Sequence, residues 1–147
     1  MSRTVVKRSI EAPVETVFDT IAHIENFRKA IPHIEKVEFA SDVQKGIGTR
    51  FRETRNMNGR LATVEMEVTD YVENERVRLV SDAGGTVWDS LFTTESSNGG
   101  TNLALTMDAK PYRFLARLMN PLVKGMIRKS IEKDMDAVKA YCEQRDG

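Results

Sequence analysis

The stretch Gly48 to Tyr71 reads GTRFRETRNMNGRLATVEMEVTDY, and the fold is decided in it. Val64, Met66 and Val68 fall on one parity, while Thr63, Glu65, Glu67 and Thr69 fall on the other. Successive side chains of a strand point to opposite sheet faces, so this parity marks a strand with one apolar face and one wet face. Asn58-Gly59 sits between this run and the alternating run before it. Both residues accept the positive φ that a two-residue hairpin turn needs. The stretch therefore predicts a hairpin of strands near 48–57 and 60–71.

Working outward, turn chemistry recurs at Gly46 and Gly48, Glu73-Asn74-Glu75, Gly84-Gly85 and Asn98-Gly99-Gly100. Regular spacing of this kind predicts an antiparallel meander with further strands near 34–41, 76–82, 86–95 and 101–110. Parity assigns Val77 and Leu79, Trp88 and Phe92, and Leu103, Leu105, Met107 and Ala109 to the apolar face, so the Trp88 ring is expected to line the interior. Upstream, the β-branched run Thr4 to Ile10 predicts a first strand that stops at Ala12-Pro13, with Pro13 placed to open a helix. Val14, Val17, Phe18, Ile21 and Ile24 recur at threes and fours with Glu15 at the positive end of the helix dipole. Glu25 to Pro32, carrying Phe27 and Ile31, reads as a short second helix or turn. Downstream, Leu115, Leu118, Leu122, Met126, Ile127, Ile131, Met135, Val138 and Cys142 form one stripe from Arg113 to about Glu143. That is a long helix of about 45 Å, expected to cross the whole concave face and to kink or restart at Pro121.

No repeat, low-complexity tract or linker divides the chain, so residues 1–147 are expected to form one α+β domain. The 22 Lys and Arg balance the 22 Asp and Glu, which argues against nucleic acid as a partner. Cys142 is the only cysteine, so the chain has no internal disulfide and suits a reducing compartment. No stretch reaches the roughly 18 apolar residues of a membrane span, and no signal-peptide pattern opens the chain; a cytoplasmic protein is expected.

Four pieces carry a family resemblance: SIEAPVETVFDTIAHIENF (Ser9 to Phe27), KGIGTRF (Lys45 to Phe51), GGTNLAL (Gly99 to Leu105) and DMDAVKAYCE (Asp134 to Glu143). In this order and spacing the chain resembles the START-like superfamily of polyketide cyclase/dehydrase and lipid-transport proteins, related in fold to the birch-pollen allergens. The resemblance covers nearly the whole chain. It implies the helix-grip arrangement, a curved antiparallel sheet wrapped around a long C-terminal helix, with two short helices after the first strand. It also implies an apolar cavity for a small hydrophobic molecule, but not an activity, since the superfamily holds binders, carriers and enzymes.

Parity in GTRFRETRN puts Glu53 and Arg55 on the face of Phe51, which should look inward. A buried charge is costly unless paired, and these two could pair and orient a polar ligand group. In the enzymes of the superfamily such cavity residues act as acids, bases or carbonyl polarisers. Two readings stay open: the pair lines the cavity, or it sits at an open end and reaches water. Phe27, Phe51, Met66, Trp88, Phe92, Leu105, Met107, Met119 and Met126 are the further candidate ligand-lining residues, and the adaptable methionines suit a pocket of variable shape. Plain core filling is the alternative for each. His23 and His33 lack a third ligand at metal spacing and read as surface or capping residues, so no metal is expected. Cys142, on the apolar stripe, reads as packing rather than as a reactive thiol. No cofactor-binding motif is present. The run Lys110 to Lys129 holds six basic and no acidic residues, which suits either a solvated helix face or transient membrane contact. Three functions fit: a binder or carrier of a lipid, isoprenoid or polyketide-like molecule; a cyclase or dehydratase using Glu53 or Arg55; and an interaction module.

Overall fold

The computed structural model describes residues 2–114 and 121–145. The chain runs β1 (Ser2–Ile10), α1 (Val14–Ala22), α2 (Ile24–Ala30), β2 (Ile34–Phe39), β3 (Arg50–Met57), β4 (Arg60–Val72), β5 (Arg76–Ala83), β6 (Thr86–Ser97), β7 (Gly100–Pro111) and α3 (Pro121–Arg145). The seven strands form one antiparallel sheet in the order β1-β7-β6-β5-β4-β3-β2. The expected meander is therefore present, each strand within a few residues of its predicted bounds. Asn58-Gly59, Gly84-Gly85 and Asn98-Gly99 are two-residue turns with positive φ at both positions, 56° and 90° at the first, where the left-handed backbone matches the twist of the strands joined.

β1 lies at one edge and β2 at the other, so α1 and α2 carry the chain across the sheet between them. In β4 the register shifts between Val68 and Asp70, which turns the inward parity from Val68 to Tyr71, opposite Val77. Such a bulge bends and twists a strand locally. It sets Tyr71 edge-on to Phe18, with ring centroids 5.4 Å apart. The densest core lies here, where Ile10, Val17, Phe18, Ile31, Leu103, Met135 and Val138 are all fully buried.

α3 is held against β1 by Arg8 Nε donating to Asp136 Oδ1 at 2.6 Å and Lys139 Nζ donating to the Ser9 carbonyl at 2.6 Å. Its closest backbone approaches are to β1, α1 and α2 rather than to the middle strands. Only Ile131, Met135, Val138 and Cys142 of this helix are buried. Three expectations need correction. Arg113 and Phe114 are not helical, because β7 runs on to Pro111 and Arg113 folds back on the β5–β6 turn, its backbone N–H donating to the Gly85 carbonyl. The described helix opens at Pro121, spans about 37 Å, and does not cover the whole concave face. Among the described residues Leu122 and Met126 are exposed, Met126 by 64%, because the core that α3 contributes to begins only at Ile127 and Ile131. Leu115, Arg117, Leu118 and Met119 lie outside the described residues. Among those described, no helix is long and apolar enough to cross a membrane.

Candidate functional site

Because α3 leans on β1 and the short helices, a space remains between its inner face and strands β3 to β7. It has two chambers. The inner one, about 100 Å³, is walled by Ile21, Ile24, Phe27, Phe51, Phe92 and Leu105. The outer one, about 380 Å³, is walled by Met57, Val64, Ser81, Trp88 and Ile127. Both share Glu53, Arg55, Met66, Leu79, Ser90, Met107, Ile131 and Asp134. Register explains the common wall: Leu79 lies opposite Ser90, and Ser90 opposite Met107, in one inward-facing row.

One polar cluster interrupts the apolar wall. Alternation along β3 turns Phe51, Glu53 and Arg55 inward, and pairing sets Glu53 opposite Val64 on one side and Val37 on the other. Glu53 is only 4% exposed. Arg55 Nε donates to Glu53 Oε1 at 2.5 Å, and Arg55 Nη1 donates to Asp134 Oδ2 of α3 at 2.8 Å. The same Nη1 lies 3.2 Å from His33 Nε2. A guanidinium can only donate, so His33 Nε2 accepts and the ring is neutral with its proton on Nδ1. Burial first, and then the charge of Arg55, push the His33 pKa below its ordinary value, against the pull of Asp134. Burial works against the charge of Arg55 too, but the Asp134 and Glu53 carboxylates outweigh it and hold its pKa above the ordinary value. Asp134 Oδ1 is buried without a hydrogen-bond partner and lies 3.7 Å from His33 Nε2. The cluster thus holds two carboxylates, one guanidinium and a neutral imidazole.

The chambers bring together most of the residues singled out in the sequence. Phe27, Phe51, Phe92 and Leu105 wall the inner chamber; Glu53, Arg55, Met66 and Met107 border both; Trp88 borders the outer one, its Nε1 donating to the Ala83 carbonyl at 3.3 Å. Met126 does not join them, and Met119 is outside the described residues. Sequence reasoning missed Asp134 and His33. Asp134 follows Ile127 and Ile131 at helical spacing, so its place on the inner stripe is written in the sequence beneath its charge. His33 is fixed by the β2–β3 pairing, in which Asn56 N–H donates to the His33 carbonyl at 2.8 Å. His33 is therefore part of the cluster rather than a surface or capping residue. His23 does terminate one helix and open the next, through its backbone carbonyl, which accepts from Asn26 and Phe27 N–H. Cys142 is fully buried with Sγ 3.5 Å from Thr20 Oγ1, in keeping with a packing role. Among the described residues no group of three or more His, Cys, Asp or Glu is placed to hold a metal ion.

Comparison with solved structures finds the same fold at low sequence identity. The protein TTHA0849 from Thermus thermophilus superposes with a TM-score of 0.80 at 18% identity, covering 99% of this chain and 100% of that one. The Zhui aromatase/cyclase from Streptomyces sp. R1128 gives 0.78 at 18% identity, covering 99% and 96%. A START superfamily protein from Mycobacterium smegmatis gives 0.78 at 16% identity, covering 97% of each chain. No curated protein sequence matches this chain. The family model described as polyketide cyclase/dehydrase and lipid transport matches residues 1–143, and the chain belongs to that family.

Proposed function

We propose that this protein binds and carries a small hydrophobic molecule, such as a lipid, an isoprenoid or a polyketide-like aromatic, with the whole chain acting as one ligand-binding unit in the cytoplasm. The observation that carries the reading is the pair of joined chambers, apolar on nearly every side and broken by a single charged cluster. Apolar walls supply affinity at about 25 cal/mol per Å² removed from water, while a few placed polar groups fix orientation. The ligand would enter through the outer chamber and seat its apolar end against Phe27, Phe51 and Phe92. At this open end Leu122 and Met126 are exposed beside Lys124, Arg128 and Lys129. That mixture suits transient contact with an anionic lipid surface during loading. Native mass spectrometry of the purified protein, followed by solvent extraction, tests the reading: a retained hydrophobic molecule released unchanged supports it, and a protein that neither retains nor takes up any apolar molecule refutes it.

A second reading, a cyclase or dehydratase, draws on the cluster itself. Carboxylates, a guanidinium and a neutral imidazole in one otherwise apolar wall are the groups that proton transfer and carbonyl polarisation require. Glu53→Gln and Arg55→Met separate the two readings once a ligand is recovered. Compared as folded protein at equal concentration, the variants of a carrier differ in affinity, whereas those of an enzyme lose turnover while the ligand still binds.

A further inference from the structure

The three charged side chains that border the chambers, Glu53, Arg55 and Asp134, come from two elements and do not balance. Arg55 is shared by both carboxylates, at 2.5 Å from Glu53 and 2.8 Å from Asp134. His33 adds no charge while it accepts from Arg55. Arg52 and Lys133, the cations next to Glu53 and Asp134 in sequence, are exposed and border neither chamber. The cluster is also short of donors, since Asp134 Oδ1 has no hydrogen-bond partner. Between apolar walls, and beside a Glu53 that is almost wholly buried, unpaired negative charge repels a second anion more strongly than it would at an open surface. We infer that the ligand presents a hydrogen-bond donor, a hydroxyl or an ammonium group, to the Glu53–Arg55–Asp134 cluster, and that free carboxylic acids such as fatty acids are rejected.

This inference rests on the carrier reading and narrows its ligand class. An apolar body fills the walls of the two chambers, and the donor end completes the one acceptor left open. A carboxylate at the same place would meet Asp134 and Glu53 with their only cation already engaged. The shared chemistry of the accepted ligands is donation; hydroxyl and ammonium differ in whether they also cancel the excess charge.

The test is a matched set of four naphthalenes substituted at the same ring position, titrated into the 147-residue chain at neutral pH. Methylnaphthalene carries no polar group, naphthalenemethanol a neutral donor, naphthylmethylammonium a charged donor and naphthoate an anion. The alcohol and the ammonium compound are expected to bind at least about tenfold more tightly than naphthoate, a difference of roughly 1.4 kcal/mol. An ammonium compound tighter than the alcohol assigns the preference to charge, and equal affinities assign it to hydrogen bonding; either supports the inference. In Asp134→Asn, which leaves the Glu53–Arg55 pair intact, naphthoate should gain and the ammonium compound should lose. The wild-type series is decisive by itself if that variant does not fold. Naphthoate binding as tightly as the alcohol, while methylnaphthalene also binds, overturns the inference and leaves the carrier reading standing. If none of the four binds, the carrier reading fails and takes the inference with it.

Discussion

The two ends of α3 face the same sheet and come out differently. Around Met135, Val138 and Cys142 the helix is pressed against β1 and the short helices, and Ile10, Phe18, Ile31 and Leu103 pack there without measurable exposure beyond 2%. At the other end of the same helix, among the described residues, Leu122 and Met126 are exposed. Between the two lies the stretch Ile127 to Asp134, which roofs the chambers. Among the described residues one end of the grip is a closed core and the other is exposed. The difference follows from where α3 is tethered, through Asp136 to Arg8 and Lys139 to the Ser9 carbonyl, and not from any change in its hydrophobic stripe.

Mutation at each end should expose that contrast most sharply. Phe18→Ala empties a closed site and should cost on the order of 3 to 5 kcal/mol in denaturant titration. Met126→Ala should stay within about 0.5 kcal/mol, as surface substitutions do. Comparable losses at the two positions would show that the open end is packed after all.

The charged cluster between the ends should respond almost as strongly. Arg55→Met leaves Glu53 and Asp134 without their shared cation, and removing one partner of a buried pair costs about 3 to 5 kcal/mol. Adding Glu53→Gln to Arg55→Met should recover part of the loss, because it removes one of the stranded charges. A double variant no more stable than the single one would mean that the loss is in packing and not in charge.

Acid should weaken the fold before the carboxylates titrate. His23 and His33 both have pKa values lowered from 6.5, burial being the largest cause for each. Asp19 pulls His23 the other way, and Asp134 does the same for His33. A lowered histidine pKa means that the unfolded chain binds more protons below pH 6.5, so stability is complete above that pH and is lost as pH falls through the folded values. The melting temperature should begin to drop near pH 6.5. Replacing both histidines with Asn should flatten that part of the profile, and an unchanged slope would place the sensitivity elsewhere.

Most of the sheet was legible because its signals are local. Parity in TVEMEV fixes a face, and Asn58-Gly59 fixes a turn, with no knowledge of the rest of the molecule. The same logic turned Glu53 and Arg55 inward. Helical spacing was a weaker guide along α3, because periodicity names the face of a helix but not how far its partner extends; Met126 shares the stripe of Ile131 and is exposed nonetheless. Asp134 was hidden for the opposite reason. Its neighbours Glu132 and Asp136 make it read as part of a solvated acidic run, yet the interval from Ile127 and Ile131 places it on the buried stripe. His33 could be found only through strand pairing, since Ile34 lies opposite Arg55 and brings the residue before it to the guanidinium.

The central claim is that the space beneath the sheet is a binding cavity and not an incompletely filled core. Ser90 tests it, because it borders both chambers and lies opposite Leu79 and Met107 with only a hydroxymethyl group to fill the wall. The measurement is the binding of a neutral, environment-sensitive naphthalene dye to Ser90→Phe, read beside the stability of the same variant. The account predicts stability within about 0.5 kcal/mol of wild type, with saturable dye binding lost. A loss of about 1 to 3 kcal/mol, the usual cost of overpacking a filled core, with dye binding unchanged or absent from the wild type as well, would contradict it.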